Sequence, residues 1–151
     1  MNVFLDTNIF HNNWHLKSAP LRLLFHYLNN EGGILFASRL VIQEVENLYN
    51  RGLDEAYRNI QITEGELKKF YPNANIKTTA RDEIGLYDFS SLLSKKVEFL
   101  EIFEYEEISQ TLMTERAILK IRPFRENEKG FRDSLIWMSL LEHVEKKQHK
   151  R

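Results

Sequence analysis

The sequence predicts an α/β domain built on a short parallel sheet, and three observations carry that prediction. An apolar run, Val3, Phe4 and Leu5, ends abruptly in Asp6-Thr7-Asn8. This is the pattern of a strand buried on both faces that delivers a carboxylate to the end of a sheet. Residues 2–52 read as strand, helix, strand, helix, and right-handed crossovers make the two strands parallel neighbours. At 151 residues, with 42% hydrophobic and 28% charged side chains, the chain matches one soluble globular domain.

Taken in order, residues 3–5 form the first strand and residues 9–17 a polar loop. Ser18 with Pro20 two positions on starts a helix, whose face is Leu21, Leu24, Phe25 and Leu28 at i, i+3, i+4 and i+7. Gly32-Gly33 stops it. Residues 34–37 are a second short strand. Ser38 is an N-cap, and Val41, Val45 and Leu48 give the next helix its apolar face, with Arg51-Gly52 as its stop. Residues 53–70 read as a further helix weakened by Gly65, and residues 84–95 as a short one. The segment 53–95 is thus expected to be a helical insertion on the α/β core. Residues 97–102 alternate only partly, as an edge strand does. Residues 108–119 are helical, Arg122-Pro123-Phe124 ends that helix, and a polar loop runs to Gly130. The last helix, from Phe131 to about Lys147, has Leu135, Ile136, Trp137, Met138, Leu140, Leu141 and Val144 around much of its circumference, as if packed on two sides.

Composition narrows the function. There are no cysteines, so disulfides and thiolate metal sites are excluded and any metal must use oxygen or imidazole ligands. No signal peptide and no run of about 18 apolar residues is present, and a reducing cytoplasm is the expected compartment. A net charge of −1 argues against coating nucleic acid by bulk charge. It leaves open an enzyme acting on nucleic acid through local basic residues around an acidic cluster. No Gly-rich phosphate loop follows the first strand, as a plain nucleotide-binding domain would require.

Three carboxylates share a placement. Asp6 ends the first strand, Glu44 lies under two turns past Ser38, and Asp133 sits in the first turn of the last helix. All three are expected at the C-terminal edge of the parallel sheet, where open α/β sheets bind ligands. Converging there, they would repel one another unless a cation sat between them, and oxygen-only ligation suits Mg²⁺ or Mn²⁺. Plainer readings stand beside this one. Asp6 would serve as an Asx-turn residue, Glu44 as a solvated helix residue, and Asp133 as a partner of the helix dipole, worth about 0.3–1 kcal/mol.

The ordered set of Val3-Phe4-Leu5-Asp6-Thr7-Asn8, Ser38 with Glu44, and Gly130, Asp133, Ile136 and Trp137 after Pro123-Phe124 resembles a PIN domain. It looks most like the bacterial PIN-like group whose third motif is Gly-x-x-Asp-x-x-Ile-Trp. The resemblance implies a three-layer α/β/α fold with a parallel sheet in the order 3-2-1-4-5. It implies a metal-dependent nuclease, most often acting on RNA, in which metal-bound hydroxide attacks a phosphodiester. Many such nucleases belong to toxin or defence systems. By the same resemblance Asp6, Glu44 and Asp133 would be the acidic ligands of Mg²⁺ or Mn²⁺, and Asn8, Thr7 and Ser38 would support them from behind. The family continues past the last helix into a strand ending in Asp, beside the first strand, and no such strand follows here. Its absence implies either a missing fourth acid or a second copy or partner chain that completes the sheet. It also sustains a rival reading, a non-catalytic or split PIN-like module that binds a partner chain or nucleic acid.

Basic residues gather just before Asp133: Arg116, Lys120, Arg122, Arg125, Lys129 and Arg132. Of these Arg132, Arg125 and Lys129 are the expected phosphate contacts. A basic tail, 146–151, ends the sequence. His11 and His15 stand at i, i+4, but further zinc ligands have no obvious source. Phe10, Trp14 and Tyr27 are candidates either for base stacking or for burial against the sheet.

Overall fold

The structure, a computed structural model, describes residues 1–125 and 129–148. Strands β1 (Asn2–Phe4), β2 (Ile34–Ser38) and β3 (Phe99–Phe103) form a sheet in the order β1-β2-β3. Both pairings are parallel, with Phe4 opposite Phe36 and Ser38 opposite Phe103. The sequence-predicted edge position of the third strand is met. Central β2 is buried from Leu35 to Ser38. Among the described residues β1 pairs only with β2, so its other side has no strand beside it.

The first crossover is α2 (Ala19–Asn30), which follows an extended Ser18 and carries Pro20 in its first turn. Leu21, Phe25 and Leu28 are buried, which is the face its periodicity predicts. The loop expected over residues 9–17 is corrected at its start. Helix α1 (Thr7–Phe10) begins directly after Asp6, and the Ile9 amide donates to the Asp6 carbonyl at 3.1 Å. A single turn is too short to carry a hydrophobic period, so the sequence gives no sign of it.

The stop expected at Arg51-Gly52 is also absent. Helix α3 (Arg39–Phe70) runs through it for 32 residues. Glycine inside a helix costs about 1 kcal/mol relative to alanine but removes no backbone hydrogen bond, so Gly52 weakens the helix without ending it. Ser38 caps α3 by accepting from the Leu40 amide at 3.2 Å. Only the first turns of α3 enter the core, through Val41, Ile42 and Val45. The distal half is held from outside: Tyr57 donates its hydroxyl proton to the Thr79 carbonyl, and Arg81 pairs with Asp54 at 2.9 Å.

The helix expected over 84–95 is shorter. A 3₁₀ turn at Arg81–Glu83 precedes an extended stretch, and α4 spans Phe89–Ser94. Asp88 caps it, accepting from the Ser91 amide at 2.8 Å and from the hydroxyls of Ser91 and Ser90 at 2.6 and 2.9 Å. The Ser91 hydroxyl first, then the Ser91 amide and the Ser90 hydroxyl, hold the Asp88 carboxyl down at about 2, against an ordinary value of 3.8. A depressed carboxyl stabilises the fold above its unfolded pKa and loses that contribution as it protonates. Melting temperature is therefore expected to fall between about pH 4 and pH 2, and Asp88→Asn to flatten that part of the profile; equal slopes in the two proteins would refute this.

Helices α5 (Gln110–Ile118) and α6 (Phe131–Gln148) complete the fold. Ser109 caps α5. Helix α6 packs on β2, β3, α3 and α5 and buries Ser134, Ile136 and Ser139. Its expected wrap is incomplete, because Trp137 is 50% exposed and Leu141 also reaches solvent. The described part of the basic tail is paired within the fold: Lys146 with Glu107 and Glu142, and Lys147 with Glu101. The rest of the tail, 149–151, lies outside the described residues. Among the described residues no helix is long and apolar enough to cross a membrane.

Candidate active site

The parallel pairing brings the C-terminal ends of β1 and β2 to one edge of the sheet, and with them the starts of α1 and α3. Asp6 is the last residue before α1. Its backbone is extended (φ −82°, ψ 161°), and its side chain makes no capping bond. The exposed carboxylate instead accepts from the Asn8 amide nitrogen, Nδ2 to Oδ2, at 3.1 Å. Asn8 is thus the side-chain partner of Asp6.

Thr7 is buried and turned the other way. Its hydroxyl donates to Glu44 Oε2 at 2.7 Å. Glu44 lies in the second turn of α3, with its side chain 15% exposed. Its other oxygen, Oε1, accepts from Arg132 in the first turn of α6. Asp133, the next residue, is exposed. One carboxylate therefore joins all three sequence segments: Thr7 ties it to the end of β1, and Arg132 ties it to the start of α6. The Ser38 hydroxyl is spent on capping α3.

The turn before α6 is tightly constrained. Gly130 has φ +104°, and a Cβ there would overlap the Pro123 carbonyl. The Arg125 amide donates to the Lys129 carbonyl at 3.0 Å, closing the loop across its base. Arg125, Lys129, Phe131, Arg132 and Asp133 line an open recess of about 440 Å³. Arg116 is a structural residue, donating to the Arg122 carbonyl at 2.8 Å.

A family model described as a PIN domain matches residues 3–151. The chain belongs to the PIN domain family. No curated protein and no solved structure matches it. PIN domains are generally metal-dependent nucleases, so nucleic acid is the class of substrate that membership points to. The sheet order β1-β2-β3 with flanking helices is consistent with that fold.

PIN domains typically use divalent metals, which need several oxygen or imidazole ligands around one point. In the arrangement described the residues of this PIN domain do not fit that need. Both oxygens of Glu44 are engaged, one by a hydroxyl and one by a guanidinium. Among the described residues no group of three His, Asp or Glu side chains stands where it could hold a metal ion. A guanidinium matches a carboxylate and a phosphate equally well. Arg132 thus takes the side of Glu44 that a cation would otherwise occupy.

Two partnerships escaped the sequence reading. Arg132, the expected phosphate contact, reaches Glu44, and the local signal for that pairing is its adjacency to Asp133. Thr7 supports Glu44 rather than Asp6, a contact between residues 37 apart that no periodicity reveals. Of the aromatic candidates, Phe10 is buried and Tyr27 is half-exposed, while Trp14 packs edge-on to Tyr49 at 6.0 Å. His11 and His15 lie against those rings, on Trp14 and Tyr49 respectively.

Proposed function

We propose that this PIN domain is a cytoplasmic endonuclease that hydrolyses phosphodiester bonds in RNA, with Asp6, Glu44 and Asp133 as its acidic residues. The observation that supports it is the Thr7–Glu44–Arg132 linkage, which draws the ends of β1, α3 and α6 around one carboxylate. Mg²⁺ or Mn²⁺ would be held by the three carboxylates only if Arg132 left Glu44 and Asp6 and Asp133 closed on it. A substrate phosphate is the natural agent of that exchange, because it competes for the same guanidinium. Arg132 would then bind the phosphate, the Glu44 carboxylate would be left without its counter-charge, and Arg125 and Lys129 would add phosphate contacts beside it. Asn8 and Thr7 keep Asp6 and Glu44 oriented meanwhile.

The same ion pair favours a second reading, a non-catalytic module in which Arg132 permanently neutralises Glu44 and the domain serves to bind nucleic acid or a partner chain. One assay separates the two: labelled single-stranded RNA and DNA, with Mn²⁺ or EDTA, for the native protein and Asp6→Asn. The expected result is cleavage of RNA that needs Mn²⁺ and is lost in Asp6→Asn. Cleavage surviving EDTA or the substitution overturns the metal–carboxylate reading, and no cleavage of either substrate supports the binding module. Among the described residues the open side of β1 is an unpaired strand edge, and a second copy or partner chain is proposed to cover it. A sedimenting monomer that cleaves at full rate would rule that out.

A further inference from the structure

Trp137 lies four residues after Asp133 on α6, on the same helix face and about one turn, about 6 Å, along the axis. Its indole is 50% exposed in a protein whose other tryptophan packs against Tyr49. It lines an open recess of about 720 Å³ together with Arg122, Pro123, Phe124 and Arg125. Arg125 also lines the recess that contains Asp133, so the two hollows adjoin. Among the described residues no carboxylate pairs with the Arg122 or Arg125 guanidinium. Phe124, buried edge-on against Phe131 at 6.4 Å, gives the floor a fixed shape.

We propose that Trp137, Arg122 and Arg125 form a subsite for one nucleotide of a single-stranded nucleic acid, the base stacked on the indole and the phosphate held by the two guanidinium groups. The chemistry selects this occupant. An exposed indole offers a flat π face to any unstacked base, and paired arginines carry the complementary charge. A duplex keeps its bases stacked inside and has nothing to lay on Trp137. The subsite rests on the nuclease reading only for the role of the acidic residues next to it. It would hold the strand one nucleotide away from Asp133, setting which phosphate reaches them.

The test reads binding in EDTA, where no cleavage intervenes, using tryptophan fluorescence and anisotropy with short oligonucleotides of RNA and of DNA. Single strands are expected to quench the protein, and Trp137→Phe to remove most of the quench while keeping most of the affinity. Trp137→Ala is expected to bind about 5- to 150-fold more weakly, the range measured for losing one stacked base, and Arg122→Ala with Arg125→Ala to weaken binding with a shallower salt dependence. The tighter of the RNA and DNA arms identifies the sugar. Unchanged affinity in Trp137→Ala, or equal quenching by a duplex of the same sequence, overturns the proposal. So does the absence of quenching by any strand, which would turn the search to a peptide occupant. Failure of cleavage leaves this result standing, and loss of stacking with cleavage intact leaves the nuclease reading standing.

Discussion

Phe89→Ala is expected to cost about 3–5 kcal/mol of stability and to unseat the helix that carries Thr7. Phe89 is 0% exposed. Its ring stands edge-on to Phe10 of α1, centroids 4.8 Å apart at 70°, and near-parallel to Tyr87 at 6.2 Å. Such pairs add about 0.5–1.5 kcal/mol beyond the area they bury. The Phe89 amide donates to Glu46 Oε1 at 2.9 Å, which anchors α4 to α3. Truncation therefore opens a cavity where α1, α3 and α4 meet, and α1 follows Asp6 without a spacer. Denaturant titration reads the loss directly as a shift in midpoint. Phe89→Leu, which keeps most of the volume, is expected to cost under about 1.5 kcal/mol. A loss below about 1 kcal/mol for Phe89→Ala would mean that Phe10 and Tyr87 close the gap themselves.

Arg132→Gln is expected to tighten Mn²⁺ binding about fivefold while weakening RNA binding, two effects of opposite sign from one substitution. A hydrogen bond to a charged group contributes about 1.5–3 kcal/mol. Arg132 is 73% exposed, so solvent screening brings that toward 1 kcal/mol. Removing the guanidinium removes the competitor for Glu44 Oε1, and it also removes a phosphate donor. Calorimetric titration with Mn²⁺ measures the first effect and RNA anisotropy in EDTA the second. Glu44→Gln keeps an acceptor for Thr7 but loses the charge, and should abolish the gain. Unchanged Mn²⁺ affinity in Arg132→Gln would show that the Glu44 pair does not compete with metal.

The elements that the sequence made legible are those with local punctuation. β1 and β2 are short apolar runs cut off by polar residues. α2 and α3 follow Ser18 and Ser38. What escaped was either too short to show a period, as α1 is, or depended on whether a weak signal would be overridden. Gly52 lowers helix stability without forbidding it, and α3 continues because its N-terminal turns are already fixed in the core. Trp137 escaped for a different reason. Hydrophobicity alone counts an indole as core, and only the packing of α6 shows which arc is left uncovered. At the candidate site the placement of Asp6, Glu44 and Asp133 within their elements was legible from where those elements begin and end. Their partners were not, because Thr7–Glu44 and Arg132–Glu44 span 37 and 88 residues of sequence.

Helix α3 extends about 48 Å at 1.5 Å per residue, yet its buried residues all fall between Val41 and Val45. Phe70, at its far end, is 88% exposed, and Ile62 and Leu67 are exposed as well. A helix so unevenly held is expected to open first at its far end, along one continuous ladder of hydrogen bonds. Fraying that starts at Phe70 passes exposed turns first and must cross Gly65 and Gly52 before it meets the core. Glu44 lies beyond both glycines, in the anchored turns. The two weak points thus act as mechanical fuses: the projecting arm can unwind, bend or take up a contact without transmitting that motion to the carboxylate at its base.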